Sequence, residues 1–178
     1  MAEPEENEYG IVNAWYNGQE ATVRNVQLKI GEPVEIKVEV MSKIDGHVNV
    51  ELESPLKTKS YEVVSGPSLI DESIDNLFIK SGWNETYIWI IKPTGEWTNG
   101  NAPINLFVQF TKAYDEYEHV EFTIVNPYIL DEQYSGPAPT RTTTDPSSTD
   151  QPPSQGSAGF GVAGALLGIA LVVMARRN

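Results

Sequence analysis

Apolar and polar residues alternate with period two through much of this chain. In PVEIKVEV, Val34, Ile36, Val38 and Val40 share one face, and Glu35, Lys37 and Glu39 the other. HVNVEL repeats the pattern with Val48, Val50 and Leu52, INLFVQF with Ile104, Leu106, Val108 and Phe110, and EHVEFTIV with Val120, Phe122 and Ile124. Successive side chains of a strand point to opposite faces, so each run predicts an antiparallel strand with one face on a core and one in water. YIWII, residues 87–91, is apolar at every position and predicts a central strand. Helical periodicity is sustained nowhere. It comes nearest in PSLIDESIDNLF, residues 67–78, where Leu69, Ile70, Ile74 and Leu77 predict one or two short amphipathic turns.

Asn17-Gly18 follows AWY, and Asp45-Gly46 stands between the 34–40 and 48–52 runs; both predict tight hairpins. Pro55, Gly66-Pro67 and Thr94-Gly95 punctuate later connections. About seven strands with short turns predict an all-β fold, an immunoglobulin-like antiparallel β-sandwich over residues 8–134. The chain has no cysteine. Disulfides, cysteine metal sites and thiol catalysis are thereby excluded, and "immunoglobulin-like" describes architecture only.

The flanks read differently. Residues 1–7 are expected to be disordered. Residues 135–157, SGPAPTRTTTDPSSTDQPPSQGS, are dense in Pro, Ser and Thr. Such a stretch cannot bury enough apolar surface to offset the entropy of ordering it, which predicts a disordered, solvated stalk whose hydroxyls suit O-linked sugars. Residues 158–175 carry no charge, and Arg176 and Arg177 follow at once. Eighteen residues make a helix of about 27 Å, against a bilayer core of about 30 Å. Residues 158–178 therefore predict a C-terminal transmembrane helix, with the arginines on the cytoplasmic side and the body on the extracellular face of the membrane. MAEPEENEYG has neither the basic nor the apolar region of a secretory signal peptide, so an exported chain is expected to have lost its leader. The competing expectation is a cytoplasmic protein with a tail anchor.

Charge narrows the partners. Of the net −13, residues 1–134 account for 23 Asp and Glu against 9 Lys and Arg, a balance of −14. Nucleic acid binding needs a basic footprint and is excluded. No GxSxG, HExxH, P-loop or dinucleotide fingerprint occurs, and His47 and His119 stand apart as surface residues, so no enzyme and no cofactor are expected. Calcium is a weak candidate at Asp71, Glu72 and Asp75 and at Asp115, Glu116 and Glu118, although neither group has the pattern of a calcium-binding loop. Asn84-Glu85-Thr86 is the one N-x-[ST] sequon and a candidate glycosylation site. Trp83 and Trp97 flank the 87–91 strand in loop-like surroundings. They are candidate ligand aromatics for a sugar ring if they share one end of the sandwich.

The ending, Ala158-Gly159-Phe160, an apolar helix and then Arg176-Arg177, resembles the PGF-CTERM sorting signal of archaeal surface proteins, with Ala158 where that family has Pro. The resemblance implies cleavage near the motif by an archaeosortase-type sorting peptidase and attachment of the new C-terminus to lipid. In the body, EYGIVNAWYNGQEATVRNVQLKIGEPVEIKVEV, SKIDGHV, PTGEWTNGNAPINLFVQF and NPYILDEQYSG resemble the sarcinarray family of methanogenic archaea. What that implies is a surface protein. The expected function is a non-enzymatic cell-surface protein of envelope or adhesion type, displayed on a stalk, with the membrane, a sorting peptidase and other surface proteins or itself as partners. The alternative is a surface carbohydrate- or ligand-binding module.

Overall fold

In a computed structural model of the chain, residues 5–137 are described. They lie within one compact unit. The expected stalk beyond residue 137 and the expected membrane segment, with Ala158, Gly159, Phe160, Arg176 and Arg177, lie outside the described residues.

The alternating runs become strands, thirteen among the described residues: β1 (Glu5–Glu6), β2 (Gly10–Tyr16), β3 (Gln19–Glu20), β4 (Gln27–Ile30), β5 (Val34–Ser42), β6 (Gly46–Glu53), β7 (Tyr61–Ser65), β8 (Ile74–Ile79), β9 (Asn84–Pro93), β10 (Gly100–Asn101), β11 (Ile104–Ala113), β12 (Glu116–Val125) and β13 (Tyr128–Gln133). The predicted inward residues of β5, β6 and β11 are all buried, and so are Val120 and Ile124 of β12, whereas Phe122 is only partly buried. Each fully buried aliphatic side chain contributes about 1.5–3 kcal/mol, which is why these positions dictate the faces.

One sheet runs β1-β2-β5-β9-β7, with β3 beside β2; a second runs β12-β11-β6-β8; a third runs β10-β13-β4. The seven strands β2, β5, β6, β7, β9, β11 and β12, counted in chain order, are arranged first-second-fifth-fourth in one sheet and seventh-sixth-third in the other. That is the immunoglobulin arrangement, with β8 added beside β6. The inner faces of both sheets supply one continuous core.

Glu5 and Glu6, ahead of residue 8, pair with Val12 and Ile11. Three expectations change. Residues 74–79 form an edge strand, not a helical turn, since their hydrogen bonds go to β6. Asp45-Gly46 carries the chain from one sheet to the other, because β5 pairs with β2 and β9 while β6 pairs with β11 and β8. Pairing is also not wholly antiparallel: β13 runs parallel to β4. The 87–91 run is internal as predicted, between β5 and β7, and Trp89 and Ile91 are fully buried. Ile88, on the opposite face of β9, stays 48% exposed. Among the described residues no helix is long and apolar enough to cross a membrane.

Candidate functional site

The two candidate ligand tryptophans are not brought together. Trp83 precedes the first residue of β9 and Trp97 follows its last. Ten residues of strand extend about 33 Å, so the two rings stand at opposite ends of it. Both are packed against the core. Trp97 Nε1 is buried without a hydrogen-bond partner among the described residues. Asn84 opens β9 and is exposed together with Glu85 and Thr86, so the sequon faces solvent.

Each acid of the first calcium candidate is engaged locally. Asp71 Oδ1 accepts the Ser54 N–H at 2.8 Å, Glu72 Oε2 accepts the Leu69 N–H at 3.0 Å, and Asp75 Oδ1 accepts from Asn49 and from Ser73. In the second, Glu116 holds Lys112 at 2.9 Å, while Asp115 and Glu118 are exposed. Among the described residues no three His, Asp or Glu side chains converge as a metal site. His47 Nδ1 accepts the Phe78 N–H at 3.2 Å and its ring meets the Phe78 ring edge-on, while His119 stacks on Phe107. Acid accumulates around Glu53. Its carboxyl is held above the usual range, first by partial burial and then by the charges of Glu51, Glu121 and Asp71.

A different feature is concave. A cavity of about 430 Å³ opens between the 54–60 connection, β7 and the 69–71 turn, lined by Ser54, Leu56, Lys57, Lys59, Leu69 and Asp71 among others. Its walls are tied down. The Asp71 N–H donates to the Leu52 carbonyl at 2.8 Å, and its carboxylate caps Ser54 as described, which fastens the 69–71 turn to the end of β6. On the far side the Thr94 hydroxyl donates to the Lys59 carbonyl at 2.5 Å and its N–H to the Ser60 carbonyl at 3.0 Å. Tyr61 is committed to the core. Its hydroxyl donates to the Ala102 carbonyl at 2.6 Å, and burial pushes its ionisation far above the usual tyrosine range.

The cavity gathers unusual electrostatics. Lys29, Lys37, Lys43, Lys80, Lys92 and Lys112 each hold a carboxylate. Lys57 and Lys59 hold none among the described residues and are exposed. Glu62, also in the lining, pairs with Lys92 at 2.7 Å, and that hydrogen bond and charge hold its carboxyl below the usual range. Ser54 Oγ is buried without a hydrogen-bond partner among the described residues. No motif in SPLKTKSY announces this site. The one signal in the sequence is a pair of lysines two residues apart in a strongly acidic chain.

A family model of the MAST domain matches residues 6–178. The chain belongs to the MAST domain family. This is the sarcinarray-type family that the body segments resemble. No curated protein matches the MAST domain chain. Among solved structures it is similar to the cupredoxin domain of amoB from Nitrosocaldus yellowstonii, at 9% identity and a TM-score of 0.41 over 79% of this chain and 97% of that one. It is also similar to PapD-like domain 7 of human CEP192, at 13% identity and a TM-score of 0.39 over 75% of this chain and 95% of that one. A third is AvmM, which catalyses macrocyclization in alchivemycin A biosynthesis, at 12% identity and a TM-score of 0.38 over 73% and 93%.

Proposed function

We propose that this MAST domain protein is a non-enzymatic module of the cell surface, of envelope or adhesion type. Residues 135–157 carry it outside the membrane, and residues 158–178 hold it there. The observation that carries this is the extent of the family match. Residues 6–178 include the β-sandwich, the Pro/Ser/Thr-rich stretch and the uncharged run before Arg176 and Arg177. Body and ending thus belong to one family pattern. The acidic balance suits a cation-rich exterior, and the exposed Asn84 suits a glycan. In this reading Ala158-Gly159-Phe160 is where an archaeosortase-type peptidase cuts, in an archaeal cell, before lipid attachment. A second reading, a surface carbohydrate- or ligand-binding module on the same anchor, is favoured by the cavity beside Lys57 and Lys59.

Cells making the full chain, and cells making a chain ended at Pro137, test the proposal. The full chain is expected in the membrane fraction and open to protease added to intact cells, and the shortened chain in neither state. Full chain recovered as soluble protein after lysis sinks the anchoring. Intact mass tests the processing. A species ending near Phe160 with added lipid is expected, and an unmodified Asn178 in most molecules overturns the cleavage while leaving the anchor.

A further inference from the structure

We infer that the cavity beside Lys57 and Lys59 binds an acidic saccharide of the uronate class, a sugar with one carboxylate and several hydroxyls. This deepens the ligand-binding reading and does not depend on membrane attachment, so a failed fractionation assay leaves it standing.

The volume of about 430 Å³ falls in the range of about 300–1,000 Å³ typical of small-molecule sites. The chain carries 25 acids against 12 bases, and most of the lysines near carboxylates are spent on them. Two ammonium groups outside any salt bridge at one cavity, of which Lys59 acts on Glu62 only as a nearby charge, are therefore a local exception. Each offers three N–H donors to an anion.

The rest of the lining decides which anion. Asp71 and Glu62 are carboxylates already held by Ser54 N–H and by Lys92, and both keep oxygens able to accept from a hydroxyl. Their charge disfavours a multiply charged phosphate and favours a ligand with a single negative group and several O–H donors. Leu56 and the 61%-exposed Leu69 offer an apolar surface to the C–H face of a sugar ring. The tied walls mean that little ordering is needed on binding.

The test is nuclear magnetic resonance of the purified full chain with trigalacturonate, with neutral galactotriose and with inorganic sulfate. Shifts confined to amides of residues 54–63 and 69–71 are expected with trigalacturonate, with a dissociation constant of about 1 mM and weakening as salt rises. Galactotriose should bind about tenfold more weakly, and the double substitution K57Q/K59Q should weaken trigalacturonate about tenfold. Lys80→Gln changes the same charge elsewhere and should leave binding unchanged. All three lysines are exposed, so circular dichroism should match the parent. Equal affinity for the neutral sugar overturns the inference, as do shifts outside these segments, loss with Lys80→Gln, or no shift at about 10 mM ligand. Sulfate that reproduces both the shifts and the affinity overturns the saccharide class and leaves a simple anion site.

Discussion

Asn17-Gly18 and Asp45-Gly46 are nearly the same dipeptide, each following an alternating strand, yet the chain does different things after them. At Asn17-Gly18 both residues have positive φ, 46° and 75°, and the chain folds straight back, Tyr16 pairing with Gln19 and Trp15 with Glu20. Those dihedrals are what a two-residue hairpin demands. At Asp45-Gly46 only the glycine is outside the usual region, with φ of 152°, and the chain leaves one sheet for the other. The second turn is held by distant segments. Asp45 takes Lys80 at 2.9 Å and the Ser81 N–H at 2.9 Å, and Gly46 lies beneath the Thr111 carbonyl. The first turn takes its shape from its own dihedrals and is fastened to Glu35 of the neighbouring strand through Asn17, whereas the second is held by contacts from segments of the other sheet and its connections. A dipeptide sets where a chain reverses, not which strand it meets afterwards.

The difference predicts an ordered series of stability changes, each read from denaturant melts. Gly46→Ala should be the most severe. A Cβ there overlaps the Thr111 carbonyl oxygen and sits 3.1 Å from Lys112 Cα, both backbone, so the two strands must part. We expect a loss of about 3 kcal/mol or more. Asn17→Ala should cost about 1–2 kcal/mol, since it removes the Oδ1 that accepts the Glu35 N–H at 2.8 Å and leaves an alanine at positive φ. Gly18→Ala should cost about 1 kcal/mol, all of it dihedral, because nothing lies within 4 Å of the new Cβ. If Gly46→Ala costs no more than Gly18→Ala, the tertiary control of the second turn is wrong.

Asp45→Asn should have the smallest effect, and one that depends on pH. The hydrogen bond from Lys80, then that from Ser81, hold the Asp45 carboxyl below the usual range. A depressed folded-state value means the contribution is present above the unfolded value of about 3.9 and is lost as pH falls through the folded one. The parent should therefore exceed Asp45→Asn slightly at pH 7 in low salt, and the gap should close in strong acid. A gap that widens on acidification contradicts the ion pair.

The same division between local and tertiary control explains what the sequence disclosed. Val34, Ile36, Val38 and Val40 announce their strand because period two is a property of the strand itself. Nothing in that period states that β6 joins a different sheet from β5, since a neighbour in one sheet and a strand of the other need the same one-sided pattern. Leu69 and Leu77 kept a helical spacing by coincidence. Leu77 is 60% exposed because β8 is an edge strand paired with β6, and Leu69, in the connection before that strand, is 61% exposed. Trp83 and Trp97 looked like companions because both adjoin YIWII, but adjoining the two ends of a strand separates them by its whole length. The lysine cavity depends on two connections with no periodicity, brought together by Asp71 and Ser54, so its residue types were visible and its shape was not.

The parallel pairing of β13 with β4 also has a mechanical meaning. Tyr128 and Ile129 lie opposite Gln27 and Leu28, Gln133 lies opposite Ile30, and β10 grips the other side of β13 at Ile129 and Tyr128. A pull that arrives through the residues after Gln133 can act along the axis of β13. Tension in that direction loads the hydrogen bonds of both flanks together instead of peeling them one by one. Ile129, fully buried, must slide out of the core in the same movement. If the residues that follow tether the body, as proposed, β13 acts as a shear clamp, and its rupture rate under load, more than the equilibrium stability of the sandwich, would set how long the body stays folded while it is being tugged.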